Sequence, residues 1–361
     1  MIRYGIIGSG MMGQEHIRNI ALLPGTAVAG FVEPDAGMAA ATRALVPGAV
    51  QSPDIASLLA RDDIDALVIA SPNHMHISQL QQIAQTRPLP VLVEKPLYTD
   101  EAQVPVLERL ITDYPAPIWV AMEYRYMPPV QSFRDMVQAA TGGIKMLTIR
   151  EHRFPFLEKV GDWNRFNHNT GGTLVEKCCH FFDLMRLILQ DEPVRVMASA
   201  GQAVNHLDET YDGAVPDIWD HGYVIVDFAQ GARAMLELCM FAEGSRYQED
   251  ITATGPKGKI EALVPGPTRF WNFDIGPAPV PLVIVSPRNP TGPVEHAVPV
   301  DPRLLKAGDH NGATFYQHER FLDLVRHGGR PDVTLADGAA AVRMGRAAQQ
   351  SAATGQAVSL I

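Results

Sequence analysis

The stretch Gly8-Ser9-Gly10-Met11-Met12-Gly13 follows the apolar run Ile2 to Ile7 and leads into a helical pattern through His16, Ile17 and Ile20 to Leu23. A strand, a glycine turn and a helix in that order form the fingerprint of a dinucleotide grip. Gly8 would allow the tight turn and Gly10 the close approach of backbone to pyrophosphate. Met11 and Met12 would lie in the turn beside the cofactor, and Gly13 would let the helix rest on the strand. The helix N-terminus would then offer its open N–H groups to the phosphates. A glycine turn alone is equally an ordinary sharp corner, so the context has to carry the reading. Ala27 to Val32 reads as a second strand and ends at Glu33, twenty residues after Gly13. A carboxylate there accepts hydrogen bonds from the adenosine ribose and repels a 2′-phosphate, so NAD is expected rather than NADP.

Working outward, short apolar runs alternate with amphipathic stretches as far as about Met122. After the first two strands come Ala66 to Ala70, Val91 to Val93 and Ile118 to Ala121, with helical patterns at Ala36 to Leu45, Ile55 to Ala60, Met75 to Ala84 and Ala102 to Tyr114. Continuous β-branched strands separated by helices indicate a doubly wound parallel sheet covered on both faces. Ligands in such sheets sit beyond the carboxyl ends of the strands, and polar residues gather there. Past the third strand stand Ser71, Asn73 and His76; Asn73 is also a natural helix N-cap. Past the fourth stands Glu94-Lys95-Pro96. Position alone leaves open whether Lys95 serves chemistry or pairs with Glu94 at the surface.

At 361 residues the chain has room for two domains, and 46% apolar residues suit an ordinary globular protein. The expected division is 1–123 for the dinucleotide domain and 124–361 for a second, α+β domain that binds substrate and mediates oligomerisation. No apolar run is long enough to span a membrane, and the first strand begins at Ile2 with no leader before it, so the cytoplasm is expected. Three cysteines, two of them adjacent (Cys178 and Cys179), suit neither a disulfide framework nor a metal site; they read as packing residues, and no metal is expected. A net charge of −10 disfavours nucleic acid and anionic membrane as partners. A small molecule remains.

The second part changes character. Strand candidates at Lys145 to Arg153, Val194 to Ala200, His221 to Phe228, Ala232 to Phe241 and Tyr247 to Ala253 follow one another through short turns, which indicates a large, open, mostly antiparallel sheet. Val264 to Pro302 holds ten of the 28 prolines and is expected to be irregular. Thr314 to Val325 and Leu335 to Ala353 read as helices, the second of which is expected to return to the first domain.

Five local patterns now stand in one order: GSGMMGQEH at the start, SPNHMH after the third strand, EKP after the fourth, EYRYMPP after the fifth, and GGTLVEKCCHFFD from Gly171 to Asp183. Over nearly its whole length the chain resembles the Gfo/Idh/MocA oxidoreductases. That resemblance implies a Rossmann domain followed by an α/β domain whose sheet often forms the oligomer interface, hence a homodimer or homotetramer. It also implies oxidation of a ring hydroxyl of a sugar or an inositol-like cyclitol, or the reverse. By resemblance Lys95 is the lysine that reaches substrate and cofactor, and His180 the catalytic histidine. The family usually has Asp where this chain has Glu176, and Gly where it has Cys178, which marks a subgroup.

The chemistry fits those residue types. Oxidising an alcohol sends hydride to the nicotinamide and leaves a proton for the protein to accept. Histidine suits that task near neutral pH. Glu176, four residues before His180, would share a helix face with it and hold the imidazole in one tautomer; Lys95 would stabilise negative charge on the reacting oxygen. Asp183 reads as structural. A buried core histidine is the plain alternative for His180. The segment from His152 to His168 sets Arg153, Arg165, Asn167 and His168 among Phe154, Phe156, Trp163 and Phe166, a mixture suited to sugar hydroxyls and pyranose faces, though a solvated loop with aromatic anchors has the same composition. Tyr124, Arg125 and His310 are further substrate candidates. Two rival functions share these features: an NAD-dependent glycosidase acting by transient oxidation, and a non-catalytic dinucleotide-binding regulator.

Overall fold

The computed structural model describes residues 1–360. The chain divides into two compact units. The first comprises Met1–Met122, Glu158–Gly171 and Thr314–Val342; the second comprises Glu123–Leu157, Gly172–Ala313 and the chain from Arg343 onward.

The first unit begins β1 (Ile2–Ile7), α1 (Met11–Ile20), β2 (Thr26–Val32), α2 (Ala36–Leu45), β3 (Val50–Gln51), α3 (Ile55–Leu59) and β4 (Ala66–Ile69). It continues α4 (His76–Thr86), β5 (Val91–Val93), α5 (Val104–Asp113) and β6 (Ile118–Val120). The six strands are all parallel, in the order β3-β2-β1-β4-β5-β6. The strand order reverses between β1 and β4, and a cleft opens at such a reversal beyond the carboxyl ends of the strands. β4 and β5 are buried at every position, as apolar runs must be when helices cover both faces. Asp35 starts α2 by accepting from the Met38 N–H, and Asp54 starts α3 by accepting from that of Ser57.

The remaining elements are α6 (Pro128–Thr141), β7 (Met146–His152), α7 (Asn167–Thr170), α8 (Thr173–Glu176), α9 (Cys179–Leu189), β8 (Pro193–Gly201), β9 (His221–Phe228), β10 (Arg233–Cys239) and β11 (Glu249–Gly255). They end with β12 (Gly258–Val264), β13 (Leu282–Pro287), β14 (Val294–Ala297), α10 (Pro302–Ala307), α11 (Ala313–His327), α12 (Leu335–Thr354) and β15 (Val358–Ser359). Of these, α7 and nearly all of α11 fall in the first unit, and α12 is divided after Val342. The second unit is built on a nine-stranded sheet, ordered β14-β13-β12-β11-β7-β10-β9-β8-β15 and antiparallel except where β7 meets β10. Its strands alternate in burial, most plainly β9 and β12, so one face carries the core. Helix α6 packs on β12 and β13.

Two expectations are corrected. The proline-rich stretch is not irregular throughout, because Leu282-Val283-Ile284-Val285 has the β-branched character to pair with β12 and β14, and its prolines stand at the ends of that run. The helix expected through Glu176 and His180 is two helices, α8 and α9, with a turn at Lys177 and Cys178. Among the described residues no helix is long and apolar enough to cross a membrane.

Candidate active site

In the first unit the glycine turn is held from several sides. Gly8 has a φ of +82°, and a Cβ there would stand 2.6 Å from the Ser71 nitrogen. Gly13 lies against the Gly8 carbonyl. Gly10 is different: nothing lies within 4 Å of where its Cβ would point. It is also the N-cap of α1 and, having no side chain, caps none of the N–H groups of the first turn. Such a cradle accepts a pyrophosphate. Glu33, at the end of β2, accepts from the Ser9 N–H through Oε2 at 2.7 Å and from the Asp35 N–H through Oε1 at 2.9 Å. The buried Ser9 hydroxyl is tied to α2 by Thr42 at 2.6 Å. The amide nitrogen of Asn73, in a residue only 6% exposed, has no protein partner and is a donor available to a ligand. These groups fit a dinucleotide.

His76 is fully buried, with its two ring nitrogens 2.9 Å from the Pro96 carbonyl and 3.1 Å from that of Ser71. Burial pushes its pKa down while the two carbonyls pull it up, and the ring braces the SPN and EKP turns rather than lying exposed to a ligand. Glu94 is also buried. Its Oε1 lies 2.8 Å from His16 Nε2, and His16 Nδ1 lies 2.8 Å from His318 Nε2 on α11. Burial works against the Glu94 charge, but His16 and the nearby Lys95 hold the carboxyl below its usual range. Lys95 itself is half-buried, and its peptide to Pro96 is cis.

The expected specificity segment is split. His152 to Leu157 belongs to the second unit and Glu158 to His168 to the first. In the first unit Trp163 lies edge-on to His74 at 6.4 Å and beneath Lys159, and α7 packs beside the SPN turn. Arg165 is 2% exposed, which removes its fork from the surface, whereas Asn167 is half-buried and His168 exposed.

In the second unit the structure brings Tyr124, His180 and His310 together around a residue the sequence reading passed over. Glu123 Oε1 lies 3.6 Å from His180 Nε2 and 3.9 Å from His310 Nε2. The Tyr124 ring stacks on the His180 ring, with centroids 4.2 Å apart and planes at 6°. Glu123 is the polar residue just past the carboxyl end of the last parallel strand, so the rule that found Ser71 and Glu94 pointed to it as well. Arg125 makes a two-pronged, buried pair with Asp183, which gives both a structural role. Glu176 is 5% exposed and ends α8, one turn before His180. Lys177, unremarked in the sequence, is buried with its Nζ 2.8 Å from Glu151 Oε1. Arg153 lies over the Phe154 ring at 4.3 Å, with Nε 3.8 Å from Glu151. Cys178 and Cys179 form no disulfide and are fully buried, as packing residues are.

Two family models match the chain: an oxidoreductase family NAD-binding Rossmann fold over residues 2–121, and an oxidoreductase family C-terminal alpha/beta domain over residues 136–360. An inositol 2-dehydrogenase of Rhizobium meliloti (strain 1021) is 27% identical over 265 residues, which are 72% of this chain and 75% of that relative. A myo-inositol dehydrogenase from Corynebacterium glutamicum matches in structure with a TM-score of 0.77 at 23% identity, over 100% of this chain and 99% of its own. A levoglucosan dehydrogenase, solved with NADH and levoglucosan, matches with a TM-score of 0.80 at 20% identity over 99% of each chain. At such identities the solved structures establish a shared fold.

Proposed function

The chain belongs to the Gfo/Idh/MocA oxidoreductase family, and from that premise we propose that it is an NAD-dependent dehydrogenase oxidising one ring hydroxyl of a neutral sugar, glycoside or cyclitol to a ketone. The observation that supports it most is the placing of His180, 2% exposed, between the Tyr124 ring and the Glu123 carboxylate at 3.6 Å. In this reading His180 takes the hydroxyl proton, and Glu123 stabilises the imidazolium as it forms. Lys95 stabilises negative charge on the reacting oxygen. Bound NAD supplies the hydride acceptor, held by the glycine turn, Asn73 and the Glu33 carboxylate. Glu33 together with Asp35 favours NAD over NADP by opposing a 2′-phosphate.

A neutral substrate is favoured because the cations around His180 are already matched: Arg125 by Asp183, and Lys177 by Glu151. The outer face of the nine-stranded sheet exposes Met146, Tyr223 and Ile225, a surface suited to a second copy of the chain. The catalytic reading is tested by NADH appearance when protein and NAD meet inositols, free hexoses and glycosides, with NADP in parallel. NADH formation on one substrate group, and much less NADPH, is the expected result. Silence across the panel while an aryl glycoside is cleaved would replace the dehydrogenase with a glycosidase. Silence on both would leave a regulator.

A further inference from the structure

The helix that carries His180 is apolar for most of its length, with Phe181, Phe182, Leu184, Met185 and Ile188 all buried. A lysine immediately before it is therefore out of place on packing grounds, because desolvating an ammonium costs more than an aliphatic side chain of similar volume would gain. Lys177 nevertheless points inward, with its side chain 7% exposed. Burial pushes its pKa down, and Glu151 works in the other direction. The surrounding geometry gives the ammonium a task.

Lys177 Nζ donates to the Tyr124 hydroxyl at 2.7 Å while it pairs with Glu151 Oε1 at 2.8 Å. It lies 4.7 Å from the Tyr124 ring centroid. The same nitrogen thus meets both the hydroxyl and the ring. The ring so gripped lies flat on His180. Glu151 is held in turn by the sheet: on β7 it stands directly opposite Glu249 of β11, and Gln248 Nε2 donates to Glu249 at 2.6 Å and reaches Glu151 at 3.4 Å. The groups facing Lys177 are thus Glu151 on β7, Glu249 on β11, Arg153 just beyond β7, and Tyr124.

We propose that Lys177 is a positioning residue for His180: anchored by Glu151, it fixes the Tyr124 ring through its hydroxyl, and the ring fixes the plane of the imidazole. A freely rotating imidazole would spend little time aimed at a substrate hydroxyl, and misplacement of a proton acceptor by a fraction of an ångström is costly in rate. The importance of Lys177 to turnover rests on the reading of His180 as the base; its grip on the Tyr124–His180 stack does not.

The test uses the full-length protein with its histidines labelled at Cε1, the His180 signal being identified by its loss in His180→Asn. The stacked phenol displaces that signal by its ring current, an effect that a merely structural lysine would not control. Two variants probe the link. Lys177→Met removes the ammonium at similar volume, and Tyr124→Phe removes only the hydroxyl and leaves the Lys177–Glu151 pair in place, which keeps the test valid if Lys177→Met folds poorly. In both, the His180 signal is expected to move toward the position of an unstacked histidine. Turnover is expected to fall roughly tenfold with the substrate KM little changed, and the double variant to be no worse than the poorer single one. A His180 signal that keeps its place in Tyr124→Phe would overturn the proposal. If the signal moves while His180→Asn retains full activity, the positioning link stands and the catalytic reading of His180 falls.

Discussion

A Cβ on Gly13 would stand 2.3 Å from the carbonyl oxygen of Gly8, so the start of α1 and the end of β1 meet backbone to backbone. Gly8 is equally confined by its positive φ and by Ser71, whereas Gly10 faces open space. The three glycines of one motif thus differ: the fold confines two of them and leaves space at the third, where the proposed pyrophosphate would lie. Gly8→Ala and Gly13→Ala are expected to lower the stability of the ligand-free protein by about 1–3 kcal/mol each. Gly10→Ala should melt like the parent but bind NAD at least about tenfold more weakly, a loss of about 1.4 kcal/mol. Thermal melts with and without NAD separate the two behaviours. A Gly10→Ala protein that binds NAD normally would remove the pyrophosphate from this turn.

The proposed preference for NAD rests on Glu33, whose two oxygens are braced by the Ser9 and Asp35 N–H groups. So braced, the carboxylate cannot easily swing away from an incoming 2′-phosphate. Glu33→Gln keeps an acceptor oxygen and removes the charge. The ratio of kcat/KM for NADP to that for NAD should then rise about tenfold. An unchanged ratio would move the discrimination elsewhere.

The parallel sheet was legible because its strands are continuous apolar runs and its helices begin at local signals such as Asp35, which sets the start of α2. The glycine turn was legible for the same reason: everything that defines it lies within a few residues. Strand β13 was obscured by flanking prolines, although its interior is strongly β-forming. The environment of His180 was only half legible. Four-residue spacing put Glu176 on one continuous helix with His180, but the turn at Lys177 and Cys178 divides that helix into α8 and α9, and a carboxylate that the spacing did not point to, Glu123, stands near the ring as well. Lys177 was opaque because its meaning depends on Glu151 and Glu249, which only the pairing of β7 with β11 brings to it. His16 likewise meets His318 across 302 residues. Local patterns reveal elements, and charge partners drawn from distant strands leave no periodic trace.

Removal of either proposed catalytic group separates chemistry from binding. His180→Ala and Lys95→Ala should each lower turnover by roughly a hundredfold or more, the scale of lost proton transfer or oxyanion stabilisation. NAD affinity should stay nearly intact, since the glycine turn and Glu33 are untouched. Stopped-flow turnover and cofactor titration on the same preparations check both halves. Near-parental turnover in both variants would dismiss the assignment.

Glu249 gives the fold a pH dependence of its own. Burial, with Glu151 close by, raises its carboxyl from an ordinary 4.5 to about 7. Between those values the folded chain keeps a proton that the unfolded chain has released. The resulting stabilisation is fully present below the lower value and is lost as pH rises through the upper one. For a shift of this size the loss is roughly 3 kcal/mol. In Glu249→Gln the amide oxygen can still accept from Gln248, while the titrating proton is gone. Urea unfolding at about pH 5 and about pH 8 should therefore show the parent losing more stability than the variant over that interval, with the variant the more stable of the two at the higher pH. Subtracting the two curves cancels the titrating groups distant from Glu249 and leaves only those coupled to it, Glu151 and Lys177. Parallel curves would mean that Glu249 is ionised throughout, its charge fully met by Lys177.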